Sequence, residues 1–499
     1  MPAALVYALT AQRDVAFWDT GEMQTVPWIA GIAHPTGFPL FVMLGWGFSH
    51  ALPLGSVAWR LSFFSGLAVV GAAWLLFAVV RDETSRPWLG CGAAIVFETA
   101  HTVWARATRA EVHDLALLFV AGSIFWMLRF YRRGSRPDFV RSVASLGCAL
   151  AVHPVALFVI PGLAVLGVAR RAGLDPKTLC LALGSGTLAL AAYAYLPLRS
   201  LVVTRERLDP TLALGLPPGQ PFWDYAHPAD PSRFWWLVRG AQFHTADGFA
   251  GYARPAALAG AYGHALAMLL GDLGAVASVL AAVGAVALLR QDRVRGAAWL
   301  LFALVPVPFA FSYVQEADPF RYLLGFDFAV TALAGIGCAT LVSLAERSLP
   351  WKTVWGVAGV WLLLVIGGWN IYRNLDIPTV NSDRHAREML TRVVASSPPH
   401  AIVVANWTYA TALAYGAYVD GTLGPRLVVA ARLEDSGQNV RTWSQRYCVL
   451  VVTDSRTPDF AGAPIRTRAL NAMVPYVLQV ESDSGPRCAP RGTSRATPH

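Results

Sequence analysis

Residues 57–86 read VAWRLSFFSGLAVVGAAWLLFAVVRDETSR. Positions 57–80 hold a single charge, Arg60, and the charges then crowd into Arg81, Asp82, Glu83 and Arg86. A run of about 20 apolar residues is enough to cross a bilayer as a helix. The pattern recurs at 88–104, 112–131, 178–198, 271–289, 296–313, 323–344 and 353–371. The whole chain agrees with it. Of 499 residues, 55% are hydrophobic and 14% charged, where a soluble domain carries about a quarter charged. A disordered chain, a coiled coil and an ordinary cytosolic enzyme are excluded. The sequence predicts a polytopic α-helical membrane protein of about eleven spans.

The net charge of +9 then reads as topology, not as a nucleic-acid footprint. Lys177 and Lys352 are the only lysines, and the other basic residues are arginines. Fifteen of the 40 basic residues lie in five short loops: Arg81 to Arg86, Arg129 to Arg141, Arg170 to Lys177, Arg290 to Arg295, and Arg347 with Lys352. Short loops rich in basic residues stay cytoplasmic. The opposite loops, at 11–56, 105–111, 199–255 and 314–322, are therefore expected outside. Loops 129–141 and 170–177 share the inner side, yet residues 142–169 number only 28, and two full spans need about 40. Two short helices meeting near His153-Pro154 are expected, or a re-entrant pair. The apolar residues 1–10 read as the end of a first span, and 37–53 as a helix lying in the outer interface.

Residues 1–371 thus form the membrane domain. Residues 372–485 read as an outward α/β domain: an amphipathic helix at 383–396, a strand in AIVVANW (401–407), a helix near 408–420, and strands at 426–431, 447–454 and 476–480. Residues 486–499 are expected to be a disordered tail. Cys91, Cys148, Cys180 and Cys338 lie in apolar runs; Cys448 and Cys488 could pair if the tail faces an oxidising compartment, but the sequence gives no distance between them. No CxxC, Walker or GxGxxG pattern occurs.

The chemistry-bearing residues collect in the outward loops. Asp19 and Glu22 sit three apart in FWDTGE, placed for proton abstraction or for holding a cation. The same spacing equally suits Asp19 as a helix N-cap. His34 follows. Arg106, Arg109, Glu111 and His113 are packed into WARATRAEVHDL, and Arg199, Asp224, Arg239 and Arg321 complete the outward set. Arginines at membrane ends on this side run against the topology rule, and boundary charges are functional candidates. Arginine takes phosphate in a two-point clamp. Acid in the first loop and arginine in the later ones describe a site that binds a lipid phosphate and activates a hydroxyl.

WDTGE (18–22), GIAHPTGFPL (31–40) and PLGSVAWRLSFFS (53–65) resemble the start of a large bacterial membrane-protein family, long described only as a domain of unknown function and related to protein O-mannosyltransferases. RAEVHDLALLF, AYLPLRS, WDYAHPADPSRFWWLVRGAQF and EADPFRYLLGF resemble its later segments in order. Thr20 and Thr36 replace the usual Ser and Pro, and His113 stands where Tyr is common. The resemblance implies a GT-C glycosyltransferase fold acting outside the cytoplasmic membrane. It implies a polyprenyl-phosphate sugar, mannose above all, as donor and a hydroxyl on protein or envelope glycan as acceptor. Asp19 would be the base, Glu22 its orienting partner, His34 a shaper of the loop, and Arg106, Arg109 or Arg199 the clamp on the departing phosphate. No metal-ligand cluster is evident, although Asp19 with Glu22 could recruit a divalent ion. The alternatives are a lipid-linked glycan transporter and a non-catalytic envelope assembly protein.

Overall fold

The structure, a computed structural model, describes residues 2–243, 254–312, 318–461, 463–482 and 488. The chain opens with α1 (Pro2–Thr10), α2 (Trp18–Thr25) and α3 (Pro39–Ala51), then the long α4 (Val57–Thr84). Ser56 caps α4 by accepting the Trp59 N–H, the ordinary use of serine at a helix start. Next come α5 (Pro87–Thr99), the short α6 (His101–Ala107) and α7 (Val112–Arg133). Helix α8 (Arg136–Val152) stops at His153, a 3-10 turn follows at Pro154–Val159, and α9 (Ile160–Ala169) completes the pair. The two short helices expected at 142–169 are present, divided by a proline that cannot continue the hydrogen-bond ladder.

Helices α10 (Pro176–Leu190) and α11 (Tyr195–Glu206) run on past Arg199, so the outward loop expected from residue 199 starts about two turns late. It also holds α12 (Pro231–Val238). The membrane part ends with α13 (Pro255–Asp272), α14 (Gly274–Gln291), α15 (Arg293–Leu304), α16 (Pro306–Ser312), α17 (Leu324–Ser348) and α18 (Lys352–Arg373). Seven helical stretches among the described residues are long and apolar enough to cross a membrane. The protein is a multi-pass membrane protein.

Burial sorts these helices. Helices α7 and α17 are enclosed by their neighbours, whereas α10 and α18 leave Leu183, Leu188, Trp361 and Val365 exposed, as helices against lipid do. Within a bilayer, close packing of small residues replaces the hydrophobic drive between helices. At the α14–α17 crossing, a Cβ on Gly337 would run into the Leu280 carbonyl oxygen, and one on Gly284 into that of Leu333.

The five basic loops meet at one end of the bundle. Glu83, 1% exposed at its side chain, pairs with Arg132 at 3.3 Å and Arg295 at 2.6 Å. Arg86 pairs with Glu346, and Arg136 with Asp175 at 2.8 Å. The charge sorting read along the sequence is thus also a sorting in space.

At the other end lie α19 (Ile377–Val380), α20 (His385–Ala395) and a five-stranded sheet of order β2-β1-β3-β5-β4. Its strands are β1 (Ile402–Ala405), β2 (Leu427–Ala430), β3 (Val449–Thr453), β4 (Thr467–Ala469) and β5 (Tyr476–Val480). The first three pair in parallel, and β5 pairs antiparallel with both β3 and β4. Helix α22 (Leu433–Ser444) covers one face through Leu433, Val440 and Trp443. Helix α21 (Trp407–Tyr418) covers the other, and its Ala410 and Leu413 share a core with Met23 and Val26. Polar ties reinforce this seat. Arg387 bonds Asp14 at 2.6 Å and Asp420 at 2.7 Å, Asn381 donates to Thr10 O and Thr108 Oγ1, and the Ala58 N–H donates to the Tyr415 hydroxyl. Helix α22 and strand β4 were not read from the sequence. The disordered tail expected at 486–499 lies outside the described residues except for Cys488, which is disulfide-bonded to Cys448.

Two outcomes are expected. Gly337→Ala should destabilise the bundle by about 1–3 kcal/mol through overpacking at the α14 crossing, seen as a lower melting temperature in detergent. Denatured, unreduced protein should titrate only the four free thiols, Cys91, Cys148, Cys180 and Cys338, and all six only after reduction.

Candidate active site

Helix α2 starts after Phe17, which occupies the N-cap position and makes no side-chain cap. The N-cap role open to Asp19 is therefore not the one it takes: Asp19 lies inside the first turn. Asp19 and Glu22, three apart, share one face of the helix.

Glu22 is fully buried. Its Oε1 accepts the His34 N–H at 2.8 Å, and its Oε2 contacts His34 Nδ1. One carboxylate thus grips both the backbone and the ring of His34. The loop between them is fixed from behind by α11, where Tyr195 donates its hydroxyl to the Ala30 and Gly31 carbonyls and Arg199 Nη2 donates to Ile29 O at 3.1 Å.

Asp19 is held from two sides. Arg321 Nη1 donates to Oδ2 at 2.9 Å, and Trp407 Nε1 donates to Oδ1 at 2.9 Å. Burial pushes the Asp19 carboxyl up, but the positive charges of His34 and Arg321 outweigh it and leave it below the usual range. For His34, burial pushes the ring down, and the carboxylates of Glu22 and Asp19 bring it up to about 9. Glu22 stays raised because burial exceeds the help it receives from His34. The centre is an ionised carboxylate beside a protonated imidazole.

A second charged group adjoins it. Arg106 contacts the Asp318 carboxylate and lies 3.8 Å from Glu111 Oε2. Glu111 Oε1 accepts from His113 Nδ1 at 2.7 Å, and the Glu111 N–H donates to Ser65 Oγ. Burial brings Arg106 down to about 10, still charged at neutral pH, and Arg321 lies close enough for their charges to repel. Arg321 thus bridges the two groups. Beneath it, an apolar cavity opens between α7, the 154–159 turn and α17, with His113 and Arg321 at its polar end and Leu117, Ile124 and Phe158 along its walls.

The structure therefore brings Asp19, Glu22, His34, Arg321, Arg106, Glu111 and His113 together. Arg109 lies beside them, its Nε 3.4 Å from Asn381 Oδ1. Three candidates have other tasks. Arg199, expected at phosphate, secures the loop before His34. Asp224 is buried in its own turn against His227 Nδ1 at 2.7 Å. Arg239 is exposed and donates to the Trp235 carbonyl of its own helix. Sequence reasoning missed Trp407 and Asp318. Trp407 lies 388 residues from Asp19, in a strand-to-helix joint that carries no local mark of chemistry. For a metal, Asp19, Glu22 and His34 present ligand atoms within 4.8 Å of one another, a donor set that suits a divalent cation.

Over 97% of its length the chain shares the helical membrane fold of a solved structure. It superposes on ArnT from Cupriavidus metallidurans in the apo state with TM-score 0.58 at 14% identity, covering 97% of this chain and 98% of that one. With the same protein bound to undecaprenyl phosphate the score is 0.54 at 13% identity, with the same coverage. The more particular kinship is at the N-terminal end. Residues 19–174 match the protein O-mannosyl-transferase TMEM260 N-terminal domain family, which confirms there the resemblance read from the motifs. The Dictyostelium discoideum protein O-mannosyl-transferase tmem260 is 31% identical over 173 residues, 32% of this chain and 21% of that protein. The Mus musculus protein O-mannosyl-transferase TMEM260 is 32% identical over 162 residues, 32% of this chain and 23% of that protein. The chain thus matches under a quarter of the length of these relatives.

The His34 pKa of about 9 fixes a sign. The stabilisation from its protonated form is complete below about 6.5, the unperturbed imidazole value, and is lost as pH rises through about 9. Melting temperature in detergent should therefore fall across that window, and His34→Gln should flatten the fall.

Proposed function

We propose that the protein is a GT-C-type glycosyltransferase that moves a sugar, mannose by the names of its relatives, from a polyprenyl-phosphate carrier to a protein hydroxyl outside the cytoplasmic membrane. The observation that carries this reading is the Asp19 carboxylate, fixed between Trp407 and Arg321, an arginine that also lines an apolar cavity. A lipid-linked donor suits this lining, with isoprene units along Leu117 and Phe158 and phosphate at Arg321, once those walls part: the cavity as it stands holds only about 40 Å³. Undecaprenyl phosphate in the solved ArnT complex supports this chemistry by fold likeness.

The acceptor hydroxyl oxygen attacks the anomeric carbon, and the bond from that carbon to the phosphate oxygen breaks. The bonding pair leaves with the phosphate, and the hydroxyl proton passes to Asp19. An ionised Asp19 is ready to accept that proton without first losing its own. Charge builds on the leaving phosphate, so preplaced cations there stabilise the transition state most. Glu22 acts through His34, keeping the loop and its positive charge beside Asp19.

The convergence of the basic loops supports placing that end in the cytoplasm and the sheet-bearing residues 372–485 outside. In that topology α4, α5 with α6, α7, α8, α9, α10 with α11, α14, α15 with α16, α17 and α18 alternate in direction. Ten segments alternate in this way among the described residues, and α1, at nine residues, is too short to cross alone.

Purified protein reconstituted with polyprenyl-phosphate mannose and a threonine-bearing polypeptide tests the reading. Asp19→Asn should lower kcat by at least about a hundredfold, and Arg321→Gln by about 100–1,000-fold, both with the fold intact. Unchanged turnover in Asp19→Asn would remove Asp19 as the base.

A further inference from the structure

The sheet carries a feature that the chemistry at Asp19 leaves unused. At the carboxyl ends of β1, β2 and β3 lies a cleft of about 500 Å³, within the size range of ligand sites. Its walls include residues just past the ends of these strands: Asn406 after β1, Arg432 two residues beyond β2, and Asp454 and Ser455 after β3. Strand β1 lies between β2 and β3. The chain therefore leaves β1 toward one side of the sheet, and β3 stands on the other. Open α/β sheets bind ligands at such a reversal of strand order, because the departing connections leave a crevice there.

Asn406 is the N-cap residue of α21 but makes no side-chain cap hydrogen bond. Its Oδ1 is buried and unpartnered among the described residues. Asparagine at this position normally turns its oxygen onto the first helical amides, so here an acceptor atom at the base of the cleft is unspent. The next residue is Trp407, whose indole holds Asp19. Tyr225, whose ring lies 6.1 Å from that of Trp407, is near enough to feel the charges of Arg432, Glu22 and Asp19. Cleft and acidic centre are therefore neighbours across one aromatic wall.

We propose that this cleft seats the polypeptide acceptor on either side of its reactive hydroxyl. The proposal rests on the glycosyltransferase reading and adds where the acceptor lies and which sequences it favours. A hydroxyl placed at Asp19 must carry its flanking residues past Trp407 into the cleft. Asn406 Oδ1 accepts a backbone N–H from an extended segment. Glu434, Asp454 and Asp459 face one cation, Arg432, so the rim favours Lys or Arg beside the modified residue. Among the described residues the lining has no aromatic ring to stack on a pyranose, which favours polypeptide over glycan as the occupant.

The test uses full-length protein in lipid nanodiscs without donor, and two fluorescent peptides that differ only in Lys or Glu flanking one threonine. Binding is read by anisotropy. Wild-type protein should bind the Lys peptide about tenfold tighter than the Glu peptide. The double variant Asp454→Asn, Asp459→Asn should bring the two within about threefold. With donor added, it should raise KM for the Lys peptide alone and leave kcat unchanged. A merely structural defect would move both peptides together. Equal affinities in the wild type, or a preference that survives the double variant, would overturn the cleft. Charge-selective binding with no sugar transferred would instead sink the glycosyltransferase reading and leave the cleft standing.

Discussion

The Asp19 carboxylate is shared between two partners that reach it from 302 and 388 residues away. One oxygen belongs to Arg321 in the membrane bundle and the other to Trp407 in the sheet-bearing tail. A carboxylate oxygen has two lone-pair sites, so each keeps one for a further donor. The geometry matters because Asp19 sits near the start of a short helix with no side-chain cap and would otherwise be free to turn away. Everything that seats the tail on the bundle, from the Arg387 pairs with Asp14 and Asp420 to the Asn381 bonds with Thr10 and Thr108, also fixes Trp407 over Asp19. The tail is structurally part of the centre, not an appendage to it.

The membrane helices serve that centre by placing Arg321. It lies in the turn that leads into α17, a helix enclosed along most of its length. Tyr322 is 9% exposed and Leu323 fully buried, so the turn is anchored on both residues that follow the arginine. A long guanidinium on a fixed stem loses less freedom when it binds than one on a mobile loop. Glu83, far away at the other end, does related work. Its pairs with Arg132 and Arg295 tie three basic loops into one platform.

Much of this was legible in the sequence. Apolar runs interrupted by charge are a local signal, so the long helices and the sorting of loops could be read directly. The break at His153-Pro154 followed from counting residues between two loops of the same side. Asp19, Glu22 and His34 could be read because they fall within sixteen consecutive residues. What failed was long-range. An arginine at a membrane end looks the same whether it faces a phosphate, as expected of Arg199, or a backbone carbonyl, as Arg199 does at Ile29. Trp407 could not be found because its importance comes from tertiary contact alone. Helix α22 escaped notice because its sequence, LEDSGQNVRTWS, buries small and polar residues beside only three large apolar ones, Leu433, Val440 and Trp443.

The charges also explain how the site could change character when a donor arrives. In the structure the facing cations already have carboxylate partners: Arg321 has Asp19, and Arg106 has Asp318 and Glu111. On the proposed reading, a phosphate entering the mouth of the cavity competes for Arg321. Each step of Arg321 toward phosphate withdraws one of the two positive charges that hold the Asp19 carboxyl low. Asp19 thereby becomes a stronger base at the moment the anomeric carbon is in place, and a weaker one while the site is empty. His34 remains to keep Asp19 ionised, because Glu22 holds it independently of Arg321. The buried Glu22, which can touch neither substrate, is needed for this reason: it keeps one cation constant while the other is exchanged.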